Sequence, residues 1–203
     1  MLRVCLASPA VTEVRAIVRR PTGLAGHKLR EIGHTDYLDF SAIANAFEGV
    51  DACFYCLGIS VMQVSGEAEY RRITHDMAMA AARALSSHSP SAAFHFISGS
   101  GASLTSRQMW ARVKAETEAD LMALARAVCW RPAAIDGVPS ATEPVLFKVL
   151  RPILRVVLGP FRSLYVKGED IGRAMLEATS QGLRNRVIEN AELRDLADRW
   201  AAR

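Results

Sequence analysis

Short apolar runs alternate with stretches long enough for a helix, and that alternation restricts the chain more than anything else in it. The runs are Val11–Val18, Val50–Leu57, Phe94–Ser98 and Ala127–Pro132. The first is β-branched and alternating, predicts a strand, and stops at Arg19-Arg20-Pro21. A weaker strand over Glu31–His34 leads to Asp36-Tyr37. Ser41–Phe47 predicts a short helix capped by Ser41 and ended by Gly49. Glu67–Ser86 predicts a long helix with Tyr70, Ile73, Met77, Ala81 and Leu85 on one face. Ser106–Arg126 predicts another, with Val113, Leu121, Leu124 and Val128 near helical spacing. Glu169–Thr179 and a C-terminal segment carrying Leu193, Leu196, Ala197 and Trp200 predict two more, with Arg186–Glu189 as an edge strand between them. Strands and helices in this alternation predict a parallel sheet covered on both faces. Ligands of such sheets bind at the carboxyl ends of the strands, where Arg19, Gly58, Ser98 and Pro132 stand.

The start of the chain does not fit a whole sheet of this kind. A doubly wound nucleotide-binding sheet opens with a strand, a glycine-rich turn and a helix whose N-terminal amides hold a pyrophosphate. Here no glycine precedes Gly23, and only 10 residues precede Val11. A crossover helix with its turns takes roughly 10–12 residues alone. Leu2–Ala7 therefore reads as the tail of that helix, and the chain as shortened by roughly 15–25 residues. The expected fold class is α/β: a Rossmann-like doubly wound parallel sheet lacking the first strand and the glycine-rich loop. In the order 3-2-1-4-5-6 the absent strand is central. The strands at Val11 and Ala52 then lose their shared neighbour.

The stretch from Phe94 to Lys114 carries the chemistry. An apolar strand ends in Ser98-Gly99-Ser100-Gly101, small residues that let backbone and ligand approach. A polar loop and a helix bearing Trp110 and Lys114 follow. These two are four residues apart and share a helical face. A strand-end serine facing a lysine suits nucleotide-cofactor chemistry. The third member of the set is an indole, which donates a hydrogen bond but is no practical proton source.

Composition narrows the partners. A net charge of +4 with dispersed basic residues permits an anionic ligand and argues against nucleic acid. Cys53-Phe-Tyr-Cys56 has C-x-x-C spacing but lies in a strand, where residues three apart point to opposite faces, so buried thiols are expected. The histidines show no metal-ligand spacing, and no metal is expected. Free thiols fit a reducing cytoplasm. No signal peptide is recognisable, and no apolar run reaches membrane-spanning length. Residues 1–203 read as one domain, with 138–168 as a substrate-side flap or helix. Within it, Lys148, Arg151 and Arg155 share one side of a segment that Pro152 interrupts. The segment reads as a flap or a subunit contact in a homodimer; a membrane-surface helix is the alternative.

Several motifs together resemble a known family. They are Cys56-Leu57-Gly58, Glu69-Tyr-Arg-Arg-Ile73, Phe96-Ile-Ser98-x-x-Gly101-Ala102, Trp110-x-x-x-Lys114 and Arg131-Pro132. Their order is similar to that of the atypical short-chain dehydrogenase/reductases, within the epimerase/dehydratase-like enzymes, and closest to the Tat-interacting-protein oxidoreductase group. The likeness runs from Val11 to Ala197 and includes Ala174-Met-Leu176 and Ile188-Glu-Asn190. The resemblance implies an NADP(H) cofactor, with NAD as the other choice, and an unidentified small molecule as substrate. It implies that Arg19 and Arg20 meet the adenosine 2′-phosphate and that Asp36 and Tyr37 lie by the adenine. Leu57 and Gly58 would pack on the ribose, with Pro132 also on the cofactor. Lys114 would bond the nicotinamide ribose, and Ser98 would orient the substrate carbonyl. The family's tyrosine acid falls on Trp110. Expected functions are therefore oxidoreductase or epimerase-like chemistry, impaired in this shortened chain, or a non-catalytic NADPH-sensing or protein-interaction module.

Overall fold

Every strand pairing in the computed structural model, which describes residues 1–136, 161 and 163–203, is parallel. The elements are α1 (Leu2–Ala7), β1 (Val14–Val18), β2 (Leu29–Gly33), β3 (Ala52–Tyr55), α2 (67–88), β4 (Ala93–Ile97), α3 (Met109–Leu124), β5 (Arg126–Arg131), β6 (Ala134–Asp136), β7 (Tyr165–Lys167), α4 (Gly168–Ser180), β8 (Arg186–Glu189) and α5 (Asn190–Ala201). Three sheets result: β1-β2, β3-β4-β5-β8 and β6-β7. The expected α/β class and parallel layering are present, and most strands begin or end within a few residues of the expected bounds. The β6-β7 pair is an addition to that expectation. Most of the flap expected at 138–168, with its basic side, lies outside the described residues.

Alternation along the central strands divides two cores. Phe94 and Phe96 of β4 join Tyr55, Cys129 and the buried alanines of α2 on one face. Val128 and Trp130 of β5 join Ile188, Met175, Leu193 and Leu196 under α4 and α5 on the other. Trp130, Phe94 and Phe96 are almost fully buried, and each such side chain contributes about 1.5–3 kcal/mol. Both faces of β4 and β5 are covered, so their sequences are nearly continuously apolar. The four cysteines are all free thiols; Cys5 and Cys129 are buried, whereas Cys56, expected in the core, is exposed because it follows the end of β3, and Cys53 is half-buried. Among the described residues no helix is long and apolar enough to cross a membrane.

α2 departs from its expected face for a physical reason. It runs α-helical over Glu67–Arg71, passes through a π-helical turn at Arg72–Asp76, and continues over Met77–His88. The wider turn carries the buried stripe through Tyr70, Thr74, Ala78, Ala82 and Leu85, so Thr74 takes the place expected for Ile73. Ser41 does not cap its helix, which is a 3-10 segment over Ser41–Phe47. Ser41 is its first residue, and its amide donates to Asp39 Oδ1 at 2.8 Å. Leu124, expected on the buried side of α3, is 39% exposed.

α3 lies beside α2 through a repeat of polar side-chain pairs. Arg112 reaches Glu67 at 3.0 Å, Arg71 reaches Glu116, and His75 Nε2 meets Asp120 at 2.8 Å. The step is four residues on both helices. Each half-exposed pair is worth little, but the set fixes how α3 is placed.

Leu2–Ala7 is a helix, and it leans on α4. A β-carbon on Gly172 would come within 3.0 Å of Val4 Cγ2. Gly172→Ala is therefore expected to lower stability by about 1 kcal/mol, the overpacking cost outweighing the helix-propensity gain. Val4→Ala in the same chain should recover the loss in urea unfolding; no recovery would mean that α1 does not rest there.

Between β1 and β3 no ladder is formed, and no strand lies between them among the described residues. All of β1 and most of β3 stay half-exposed, while β4 and β5 are buried. The two edges nevertheless belong to one layer. Ile17 and Cys53 pack against the same core. The Arg15 guanidinium donates to the carbonyls of Asn45, Ala46 and Glu48 at 3.3, 3.3 and 2.6 Å, which ties the start of β1 to the approach of β3.

Candidate functional site

The carboxyl ends of β4 and β5 hold the turn on which the site rests. Ser98 N–H donates to Trp130 O at 2.7 Å, and Ser100 N–H to Pro132 O at 3.0 Å. The turn is thus an extension of the ladder, pinned to the end of β5. Gly101 has φ +88°, a conformation that only glycine adopts without strain.

Two side chains of α3 close on this turn. A β-carbon on Gly99 would lie 3.5 Å from the Trp110 ring and 3.7 Å from Lys114 Nζ; on Gly101 it would lie 3.8 Å from the same ring. The shared helical face expected for Trp110 and Lys114 is realised. The Lys114 ammonium donates to Ser98 O at 2.5 Å and lies 3.4 Å from Ile97 O. Burial pushes its pKa down to about 8, with Glu118 pulling the other way. The Ser98 hydroxyl is buried, the residue 2% exposed, and its Oγ has no hydrogen-bond partner among the described residues. A buried hydroxyl without a partner costs about 1–3 kcal/mol, so this atom is open to a group that the described residues do not provide.

Behind the turn, Glu118 lies one helical turn beyond Lys114. Its carboxylate accepts from Arg131 Nε at 2.9 Å and from a terminal nitrogen at 2.6 Å. Arg131 also reaches Glu189 at 3.0 Å. These carboxylates hold its guanidinium well above the ordinary value. This pair joins α3 to β5 immediately before Pro132. The sequence reading missed it, although the i+4 spacing from Lys114 was a usable signal.

The adenosine-side residues lie elsewhere. Val18, Arg19, Arg20, Pro21, Glu31 and Gly33 line a crevice of about 260 Å³ at the ends of β1 and β2. Glu31 is occupied by the amide of Thr22 at 2.9 Å and by its hydroxyl, which hold the carboxyl below its usual range. Asp36 is exposed, and its Oδ1 accepts from Leu38 N–H at 3.0 Å, a turn contact. Tyr37 stands edge-on to Phe40, and burial pushes its phenol up. Leu57 packs on the core and Gly58 is exposed. The structure thus brings Ser98, Trp110, Lys114 and Pro132 together. Arg19 and Arg20 share a separate crevice that Asp36 and Tyr37 do not line. Among the described residues no cluster of histidine, cysteine or carboxylate could hold a metal ion.

Neither a protein-family model nor a curated protein sequence matches the chain. Solved structures do. A dTDP-glucose 4,6-dehydratase of Streptomyces venezuelae, with NAD bound, is 15% identical, with a TM-score of 0.67 over 97% of this chain and 74% of that one. A short-chain dehydrogenase/reductase family oxidoreductase of Burkholderia thailandensis is 13% identical, with a TM-score of 0.66 over 94% and 87%. RMD of Pseudomonas aeruginosa, complexed with NADPH, is 16% identical, with a TM-score of 0.59 over 91% and 81%. At these identities the likeness establishes the fold, and the chain has the Rossmann-like α/β architecture of these enzymes.

Proposed function

We propose that the chain is an atypical short-chain dehydrogenase/reductase, nearest in motif order to the Tat-interacting-protein oxidoreductases, that binds NADP(H) at the carboxyl ends of its strands. The observation that carries this reading is the buried, unpartnered Ser98 hydroxyl beside Lys114 at the end of β4. Lys114 would hold the nicotinamide ribose, and Ser98 would orient a substrate carbonyl. The bound cofactor would supply or accept hydride. The Arg19-Arg20 crevice supports a 2′-phosphate, since guanidinium groups suit that anion. Glu31 in the same crevice opposes it, so the preference over NAD is modest. The residues at the nicotinamide end fit the cofactor. A pyrophosphate cradle is not among the described residues.

Trp110 sets the chemistry. Its indole covers Gly99 and Gly101 and has no titratable proton to pass to a carbonyl oxygen. That observation favours a second reading, a cofactor-sensing module without turnover. Calorimetry with NADPH and NADH tests the first step. NADPH should bind measurably below 1 mM, and Arg19→Ala/Arg20→Ala should weaken it at least tenfold while NADH changes little. Absence of binding by either nucleotide sinks the proposal. Trp110→Tyr tests the second: general acid catalysis is worth about 10²–10⁴-fold, so NADPH-dependent reduction across a panel of carbonyl compounds should rise by at least the lower figure. Equal turnover by both forms removes the sensing module.

A further inference from the structure

We infer that the substrate is a neutral, apolar carbonyl compound, held by Met62 and Leu104 at the mouth of the Ser98 site. β3 and β4 are parallel neighbours, so the loops that follow them open at the same end of the sheet. One guanidinium ties those loops together. Arg112 donates to Glu67, where α2 begins, at 3.0 Å, and to the carbonyls of Ser106 and Arg107 at 3.1 Å each. The loop after β4 is also held to the start of α3, where Ser103 N–H donates to Ala111 O at 3.1 Å, one residue beyond Trp110.

Each loop presents a large apolar side chain to water from a turn that its own polar groups close. In the loop after β3, Gln63 N–H donates to Ser60 O at 2.9 Å, Met62 N–H to Ser60 Oγ at 3.3 Å, and Ser60 N–H to Gln63 Oε1 at 3.3 Å. In the loop after β4, Ser106 N–H donates to Ser103 O at 3.2 Å, and Ser103 Oγ meets Thr105 Oγ1 at 3.1 Å. Met62 is 89% exposed and Leu104 is 60% exposed. Apolar side chains held out of the core beside one another mark a surface for an apolar partner. Trp110 adds an indole against Gly99 and Gly101.

The partner is a small molecule because this rim continues into the turn that carries Ser98. Apolar walls with a few placed polar groups are the usual make-up of a ligand site. Here the buried, unpartnered group is a hydroxyl, which gives one hydrogen bond and no charge. The apolar body of the ligand then lies on Met62 and Leu104, and its carbonyl oxygen accepts from Ser98. The inference rests on the proposed function for that carbonyl, since it is the substrate group that Ser98 would orient. An anionic substrate would need a cation at the rim. The terminal nitrogens of Arg112 are engaged by the protein itself, which leaves Arg107, exposed in the loop after β4, for that part.

The test uses the full chain with isotope-labelled methionine methyls. It is titrated with benzylacetone, a neutral aryl ketone, and with the nucleotide sugar dTDP-glucose, each with and without NADPH. The ketone should shift the Met62 methyl resonance, assigned by its loss in Met62→Leu, and leave that of buried Met175 in place. Leu104→Ser should weaken the ketone about tenfold as read at Met62, because a leucine covered by the ligand is lost from the opposite turn. An unmoved Met175 methyl in that variant shows that the fold is kept. No Met62 shift up to about 5 mM ketone overturns the inference. So does equal ketone affinity in Leu104→Ser, or a Met62 shift by dTDP-glucose at the same concentration or lower. NADPH calorimetry on the same samples separates the two readings. Ketone binding without nucleotide binding keeps the apolar rim and sinks the cofactor; nucleotide binding with an unmoved Met62 does the reverse.

Discussion

Arg131→Met is expected to lower the unfolding free energy by about 3–5 kcal/mol, measured by urea denaturation at neutral pH. The cost comes from what stays behind. The Glu118 side chain is 3% exposed, and both its oxygens are satisfied by the Arg131 guanidinium. Methionine fills comparable volume but leaves a buried carboxylate without a cation. Glu118→Leu/Arg131→Met should recover most of the loss, because removing both charges avoids the orphan. Arg131→Lys keeps the charge but loses the fork, so it should fall between. The loss should also reach the site, because the pair joins α3 next to Lys114 with β5 next to Pro132. A single variant within 1 kcal/mol of the wild type would mean that water already reaches Glu118.

The site was legible where its parts are local. Ser98, Trp110 and Lys114 fall within one strand-turn-helix, so their spacing alone predicts that they meet. Arg19 and Arg20 follow directly on a strand whose end the sequence marks, and β1 does stop at Val18. Asp36 and Tyr37 were placed by resemblance; in the structure Asp36 makes a turn contact and Tyr37 packs on Phe40. The π-turn in α2 could not be read, because Ile73 and Thr74 are both compatible with a helix and only the wider turn chooses Thr74. Ser41 looked like a cap because serine often is one, but it is the first residue of the segment, with its amide held by Asp39 Oδ1. The β6-β7 pair is three residues a side and carries no periodicity to read.

His95 was invisible for another reason: its partners are far along the chain. Its environment makes acid stability the second large effect. The ring is buried against Phe54 and Trp130. Trp130 Nε1–H can only donate, so His95 Nδ1 accepts, at 3.1 Å. The proton of the neutral ring then sits on Nε2, which donates to Thr179 Oγ1 at 3.1 Å, and that hydroxyl donates to Met175 O at 2.8 Å. Every hydrogen-bonding position of the neutral imidazole is used, and an added proton on Nδ1 would face the Trp130 N–H. Burial, with Arg184 nearby, pushes the pKa from 6.5 down to about 3. Between those values the unfolded chain holds a proton that the folded chain refuses. Stability conferred by the neutral ring is complete above pH 6.5 and falls as the pH drops, by about 1.4 kcal/mol per unit. By pH 4.5 the loss amounts to about 3 kcal/mol. The substitution His95→Gln keeps one acceptor for Trp130 and one donor for Thr179 but cannot take the proton. Urea midpoints from pH 7 to pH 4.5 should therefore fall more steeply for the wild type than for His95→Gln, the difference between the two curves growing by that amount. Parallel curves would show that the ring is protonated in the folded protein, and that Trp130 does not donate to it.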